Sequence, residues 1–246
     1  MNQPEGPSRK EAWLMFDRIA HRYDLLNLLL SAGQDKIWRK KVAEHLPNRP
    51  NMKLLDLAAG TGDLAIELVE RNKNIKKVLI TDMSTGMLDV AKKKVAKKNL
   101  SAEILIEQCD ATNIQYPDDS FDIITIAFGI RNVTDVSQAL KSMHRVLKSN
   151  GRMIVLELSL PNNRLLRSLY LFYFRHILPI IGGIISGNTE AYKYLNQTVE
   201  SFPYGDDFCN LMKKAGFKNA NAFPQTLGIA TIYVGEHQED ALEEKI

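Results

Sequence analysis

Long apolar runs, paired cysteines and a dominant charge are all missing from this chain. No uninterrupted apolar stretch nears the ~18 residues that would cross a bilayer, so a transmembrane span is not expected. There are only two cysteines, Cys109 and Cys209, at no metal-ligating or redox spacing. That excludes a disulfide framework and points to reduced thiols in a cytoplasmic-type compartment. His21, His144 and His176 have no spacing suited to a metal and read as structural or surface residues; no metal is expected. The net charge of +3 is too small to argue for nucleic acid. The first ten residues lack the apolar segment of a signal peptide and the Arg/Ser-rich amphipathic pattern of a transit peptide, so neither is expected.

What is present is an ordinary globular composition, 45% hydrophobic and 25% charged, over 246 residues, a length that fits one α/β domain with insertions. Apolar spacing predicts N-terminal helices at about 12–30 and 36–46, the second ended by Pro47-Asn-Arg-Pro50. A strand–helix alternation follows. Strands are expected at about 52–58, 76–82, 102–108, 121–127 and 151–158, with helices at about 63–72, 84–98 and 134–148. Ser84 and Asp135 or Thr134 suit N-caps, and Asn150-Gly151 suits a helix stop before the fifth strand. This rhythm predicts a parallel sheet with right-handed crossovers over a core of about 52–160. A helix at about 204–215 and strands at about 217–223 and 227–235 close the chain, the terminal hairpin (204–236 with its helix) adding one antiparallel strand.

Two segments invite a further reading. Lys92-Lys-Lys-Val-Ala-Lys-Lys98 is either a solvated helix face or a contact to anionic lipid. The stretch 162–200 interrupts the alternation and is the most apolar part of the chain, yet Arg167, Arg175, His176 and Pro179 break it. It reads as a helical layer on the sheet, as a lid facing a greasy substrate or the membrane surface, or as both; a homodimer through it is also open.

The chemistry concentrates in Asp56-Leu-Ala-Ala-Gly-Thr-Gly-Asp63, a glycine turn between a predicted strand and a predicted helix. That is the nucleotide-binding corner of a doubly wound sheet. Gly60-Thr-Gly-Asp-Leu-Ala65 also fits a dinucleotide fingerprint, so a nicotinamide cofactor must be weighed. Asp56, Asp63, Asp82 and Asp110 all fall at or beside carboxyl ends of predicted strands, where a pyrophosphate would meet a negative field. S-adenosyl-L-methionine (SAM) has no phosphate, and its sulfonium and ammonium offset carboxylates, so SAM is favoured. Asp82 would then hold the ribose hydroxyls and Asp110 the adenine amino group, with the Ala111 N–H donating to the ring. Gly60 and Gly62 would let the methionine part approach closely, Thr61 would hydrogen-bond it, and Asp56 would receive its ammonium.

Four motifs carry a family resemblance: Asp56 to Asp63, Thr81-Asp-Met-Ser-Thr-Gly-Met-Leu88, Phe121-Asp-Ile-Ile-Thr-Ile-Ala-Phe-Gly-Ile-Arg-Asn-Val133 and Arg145-Val-Leu-Lys-Ser-Asn-Gly-Arg152. With the opening Phe16-Asp-Arg-Ile-Ala-His-Arg-Tyr-Asp24 and Ala215-Gly-Phe217, the chain resembles the ubiquinone/menaquinone biosynthesis C-methyltransferase family over about residues 12–236. The resemblance implies the class I SAM-dependent methyltransferase fold, a Rossmann-like seven-stranded sheet with an antiparallel last strand. It implies SAM contacts from Thr61, Asp82, Asp110 and Ala111. Ala127 departs from the pattern, standing where family members carry Ser. The implied reaction is C-methylation of a polyprenylated quinol, with a prenyl tail that asks for a greasy channel or peripheral contact with the inner membrane. Arg131 would stabilise a developing phenolate, Asn132 would hydrogen-bond the quinol oxygen, and Tyr23 would close the site and join a proton path. The rival readings are a methyltransferase acting on a phospholipid headgroup or small molecule, a nicotinamide-dependent reductase and a non-catalytic scaffold. No Asn/Asp-Pro-Pro-aromatic motif follows the fourth strand, which argues against methylation of nucleic-acid bases.

Overall fold

A computed structural model describes residues 9, 11–100, 102–180 and 189–238. Its strands are β1 (Met52–Leu57), β2 (Ile75–Asp82), β3 (Glu103–Gln108), β4 (Phe121–Ala127), β5 (Leu147–Leu158), β6 (Lys218–Gln225) and β7 (Ala230–Glu236). They form one seven-stranded sheet in the order β3-β2-β1-β4-β5-β7-β6. The pairings are parallel except that β7 runs antiparallel to both β5 and β6. The helices between the strands are α4 (Asp63–Arg71), α5 (Thr85–Ala96) and α6 (Val136–Val146).

The sheet is buried on both faces, and side-chain alternation divides its core in two. Leu55, Ile124 and Val155 point into one cluster with α6 and with α9 (Asp206–Lys214). Leu54, Ile123 and Ile154 point into the other, with α4, α5 and α3 (Gln34–Val42). This is why β4 reads as an almost continuous apolar run, whereas edge strand β3 is largely exposed.

Local chemistry sets several boundaries. The Ser84 hydroxyl accepts from the Met87 N–H, and the Asp135 carboxylate accepts from the Gln138 N–H, so both act as N-caps. Asn150-Gly151 does not end α6, which stops at Val146 with Leu147 already extended. Asn150 instead adopts φ +59° inside β5, where pairing with β4 jumps from Phe121–Leu147 to Ile123–Arg152. The expected helix at 12–30 is also divided, into α1 (Ala12–Ile19), a 3-10 turn (Ala20–Arg22) and α2 (Tyr23–Leu30). No Pro or Gly lies in that stretch. The break sits between two anchors: Asp17 binds the start of α5, and Asp24 binds Thr61 after β1. Tertiary contacts, not propensity, decide it.

The segment beyond β5 forms α7 (Arg164–Phe172), a π-helical turn (Tyr173–Ile177) and α8 (Thr189–Ser201); residues 181–188, among them the end of the expected Leu165–Ile185 stretch, lie outside the described residues. Phe174, Leu178, Tyr194 and Val199 join Ala12, Met15 and Leu26 in a third core, which roofs the carboxyl ends of the strands. Among the described residues no helix is long and apolar enough to cross a membrane.

Candidate active site: two chambers meeting at Tyr23

Strand order reverses between β1 and β4, and a crevice opens at that switch point. It holds two chambers. One of about 160 Å³ lies over β1, β2 and β3 and is lined by Gly60, Asp82, Asp110, Ala111 and Asn132, with Arg9 at its side. The other, about 280 Å³, lies under the N-terminal helices and the α7–α8 roof, lined largely by apolar and aromatic groups around Arg131. Phe16, Tyr23 and Phe128 face both. Tyr23 also borders a recess of about 20 Å³ behind Gly60, where Asp56, Arg39 and Ala127 meet.

The turn after β1 explains the smaller chamber. Gly60 has φ +57°, and a Cβ there would sit 3.6 Å from the Tyr23 ring, so glycine keeps the passage past Tyr23 open. Asp82 ends β2, its two oxygens accepting from the Gly60 and Ser84 N–H groups, each at 2.8 Å. Burial raises its pKa against the pull of these bonds, and each oxygen keeps a lone pair for a ligand. Asp110 accepts from both the N–H and the hydroxyl of Thr112 at 2.8 Å, which fixes it at the chamber rim beside Ala111. Asp56 is fully buried: Oδ1 accepts from the Thr125 hydroxyl at 2.6 Å, while Oδ2 has no partner. Desolvation pushes its pKa up to about 7.

Three of the expected groups have structural partners here. The Thr61 hydroxyl donates to Asp24 at 2.6 Å and accepts from Lys94 at 2.8 Å, so it serves the α2–α5 contact, and it borders the recess. Gly62 faces helix α5: a Cβ would lie 3.3 Å from that of Ala91, so this glycine allows α4 to pack there and does not face a ligand. Asp63 pairs with Lys94 and stands 3.9 Å from Arg39, which removes it from the negative field at the strand ends. Lys92 and Lys98 likewise pair with Asp89 and Glu70, leaving the lysine cluster a largely neutralised helix face.

The larger chamber is built after β4. Phe128 adopts φ +56°, and the next residue must be glycine, since a Cβ on Gly129 would come within 2.6 Å of the Ala58 Cβ. The twist turns the Phe128 carbonyl toward the following 3-10 turn (Ile130–Asn132), where it accepts from Arg131 Nη1 at 2.7 Å. Arg131 is only 4% exposed and forms an ion pair with Glu157, itself 0% exposed, on β5. Its Nε has no partner. Asn132 was expected beside the acceptor but lines the smaller chamber, with a buried, unpartnered Oδ1. Tyr23 is half-buried; desolvation raises its phenol pKa, opposed by Asn27, Arg131 and Arg39.

Glu157 escaped the sequence reading, although a lone charge in the run Met153-Ile-Val-Leu-Glu-Leu158 was its signal. Asp17 escaped it too. Its Oδ1 accepts from the Ser84 hydroxyl (2.7 Å) and the Gly86 N–H (2.8 Å), bonds that hold its pKa low and latch α1 over the smaller chamber.

Comparison with known proteins agrees with this geometry. Residues 8–237 match the ubiE/COQ5 methyltransferase family. The chain is 47% identical to the ubiquinone/menaquinone biosynthesis C-methyltransferase UbiE of Geotalea daltonii, over 90% of this chain and 94% of that one. It is 44% identical to the demethylmenaquinone methyltransferase of Deinococcus radiodurans, over 95% and 94%. Among solved structures, a SAM-dependent methyltransferase from Thermotoga maritima, described as a possible histamine N-methyltransferase, shares the fold with a TM-score of 0.62 at 19% identity, covering 92% of this chain and 100% of that one.

Removing one member of a buried ion pair strands the other's charge. Glu157→Ala is therefore expected to lower the unfolding free energy by about 3–5 kcal/mol in urea titrations, and Arg131→Met with Glu157→Leu to recover most of it.

Proposed function

This chain belongs to the ubiE/COQ5 methyltransferase family, and on that footing we propose that it transfers the methyl group of SAM to a ring carbon of a polyprenylated quinol, demethylmenaquinol or a ubiquinol precursor, in respiratory quinone biosynthesis. The observation that carries the reading is the pair of adjoining chambers of unlike chemistry, one edged with carboxylates and one apolar around a single guanidinium, with Tyr23 and Phe128 as common walls.

The residues present fit SAM. When bound, SAM supplies an electrophilic methyl group on a sulfonium. The Asp56 oxygen left without a partner suits an ammonium; Arg39 across the same recess is paired with Asp35. Asp82 accepts from the ribose hydroxyls, Asp110 from the adenine amino group, and the Ala111 N–H donates to the ring. The Gly60 turn admits the methionine part past Tyr23. Asn132 lines this cofactor side, and its Oδ1 has no hydrogen-bond partner.

On the acceptor side the work is alignment and charge stabilisation. Arg131 stays protonated and donates through its free Nε–H to the quinol oxygen as negative charge develops there. Because Glu157 balances the guanidinium, the chamber admits an apolar ring without exposing it to a bare cation. Tyr23, in the wall between the chambers, closes the meeting point and excludes water.

Helix α7 supports a peripheral station on the inner membrane. Tyr170 on α7 and Phe174 in the π-helical turn line the acceptor chamber, while Leu165, Leu169 and Phe172 on α7, and Ile180 beyond the turn, are 59–70% exposed. A helix apolar toward both chamber and exterior suits an enzyme that takes a prenylated substrate from a bilayer.

Radiolabelled SAM and short-chain demethylmenaquinol should yield labelled product with the wild type, and Asp82→Ala and Arg131→Gln should each lower kcat/KM by about 100-fold or more, with folding checked by thermal unfolding. No transfer to quinol, despite SAM binding that depends on Asp82, would move the acceptor to a phospholipid headgroup or small molecule. The raised pKa of Asp56 has a second consequence. Below about 7 its carboxyl is protonated in the folded protein and must ionise to meet an ammonium. SAM affinity measured by calorimetry should therefore strengthen as pH rises through about 7, and Asp56→Asn should flatten that dependence. Flotation with anionic vesicles tests the membrane station: Leu169→Glu with Phe172→Glu should abolish co-flotation while leaving SAM affinity unchanged.

A further inference from the structure

Among the described residues that line the acceptor chamber, only Ala32 and Thr226 are exposed; the rest are buried or half-buried. The two belong to one stretch of rim. Gln34, two residues after Ala32, accepts from the Thr226 hydroxyl at 3.2 Å, and the Trp38 Nε1–H one helical turn further along α3 donates to the same hydroxyl at 2.8 Å. Three large apolar side chains stand exposed beside this rim. Leu227, the neighbour of Thr226, is 73% exposed, and Ile37, between Gln34 and Trp38 on α3, is 46% exposed. Leu28, whose Cδ1 lies 3.7 Å from where a Cβ on Gly33 would sit, is 36% exposed. The turn that carries Leu227 is also strained. Thr226 adopts φ +44° and Leu227 φ +60°, a left-handed conformation that few side-chain-bearing residues take and β-branched ones least of all. Such strain persists only where the surroundings hold it, and it gathers at binding sites. Here α3 holds Thr226 by two hydrogen bonds, and the Ser159 hydroxyl donates to the Gly228 carbonyl at 2.8 Å. A strained turn that shows leucine to water disfavours the free protein twice over, and an apolar occupant offsets the exposure.

We propose that the prenyl tail of the acceptor leaves the chamber past Ala32 and Thr226 and lies outside it against Leu28, Ile37 and Leu227, which makes this rim a tail-binding subsite. The proposal rests on the quinol reading above and adds the tail's route to it. A chamber of about 280 Å³ is at the small end for a ligand pocket. A quinol ring with its substituents fills much of it, so a tail of several prenyl units must run outward. The exposed rim residues give that tail an apolar surface continuous with the chamber wall. The same turn rests on the segment that leads into α7: a Cβ on Gly228 would lie 3.3 Å from the Pro161 Cα, and α7 begins at Arg164. The tail therefore emerges near the start of the helix whose exposed Leu165, Leu169 and Phe172 suit a bilayer. A rim of this kind favours long-tailed acceptors over short ones, because binding strengthens with the apolar area covered.

Two acceptors test this, demethylmenaquinols with a single prenyl unit and with several. Each is assayed with SAM and the full chain in non-ionic detergent micelles, where contact with a bilayer plays no part. Leu227→Asn combined with Ile37→Gln is expected to lower the ratio of kcat/KM for the long-tailed over the short-tailed acceptor about tenfold, through KM. Asparagine tolerates a positive φ better than leucine, so Leu227→Asn alone should unfold at a temperature no lower than wild type while lowering that ratio in the same direction. A merely structural role for Leu227 would lower the unfolding temperature and leave the ratio unmoved. A long-tailed acceptor with a diazirine partway along its tail should crosslink to residues 31–37 and 226–228 of the wild type. An unchanged ratio, or crosslinks confined to α1, α7 and α8, overturns the route and leaves the quinol reading standing. A wild-type protein that methylates neither acceptor overturns the quinol reading itself, and the route with it.

Discussion

Arg131 and Glu157 are buried against each other where the chain leaves β4 and approaches the end of β5, and the acceptor chamber takes its form from that pair. The pair depends on a crowded crossing. Phe128 turns through a left-handed conformation, Gly129 fits against Ala58 only because it lacks a Cβ, and the freed Phe128 carbonyl accepts from the guanidinium. Glu157 also accepts from the Leu158 N–H at 2.8 Å, which ties its carboxylate to β5. A buried pair of this kind contributes little net stability, because desolvation offsets most of the Coulomb attraction. What it supplies is a donor of fixed direction, charge-balanced within apolar walls.

The cofactor side is ordered by a different set of contacts, and most of them belong to the N-terminal helices. Asp17 reaches the capping loop of α5 through Ser84 and Gly86, while Asp24 joins Thr61 and Lys94. The Ser84 N–H in turn binds Asp82. The helices that cover the chamber are thus bonded to the loop that orients its central carboxylate, so covering the site and arranging it are one structural event. Tyr23 stands between these two anchors and faces all three cavities.

Much of this was legible in advance. Near-continuous apolar runs and glycine turns marked each parallel strand to within a few residues, because β4 and its neighbours are buried on both faces. Asp82, Asp110 and Ala111 line the smaller chamber from the strand ends, where ligands meet the sheet in this topology. The orientation of Thr61 and Gly62 was not legible, for one reason. A motif states which residues occur in a turn but not which way each faces, and here both serve the packing of helices around α5. Glu157 was visible only as a polar residue in an apolar strand; its partner lies 26 positions away.

Local sequence determined the sheet, its crossovers, the acidic strand ends and the glycine turn, because these follow from side-chain period and from backbone freedom within a few residues. Tertiary structure alone decided the break between α1 and α2, the neutralising of Arg131 and Asp63, the chamber that Asn132 lines, and the meeting of Ala32 and Thr226 at one rim. Each of these depends on pairings between segments distant along the chain, and neither charge balance nor burial at such a place is encoded by the residues next to it.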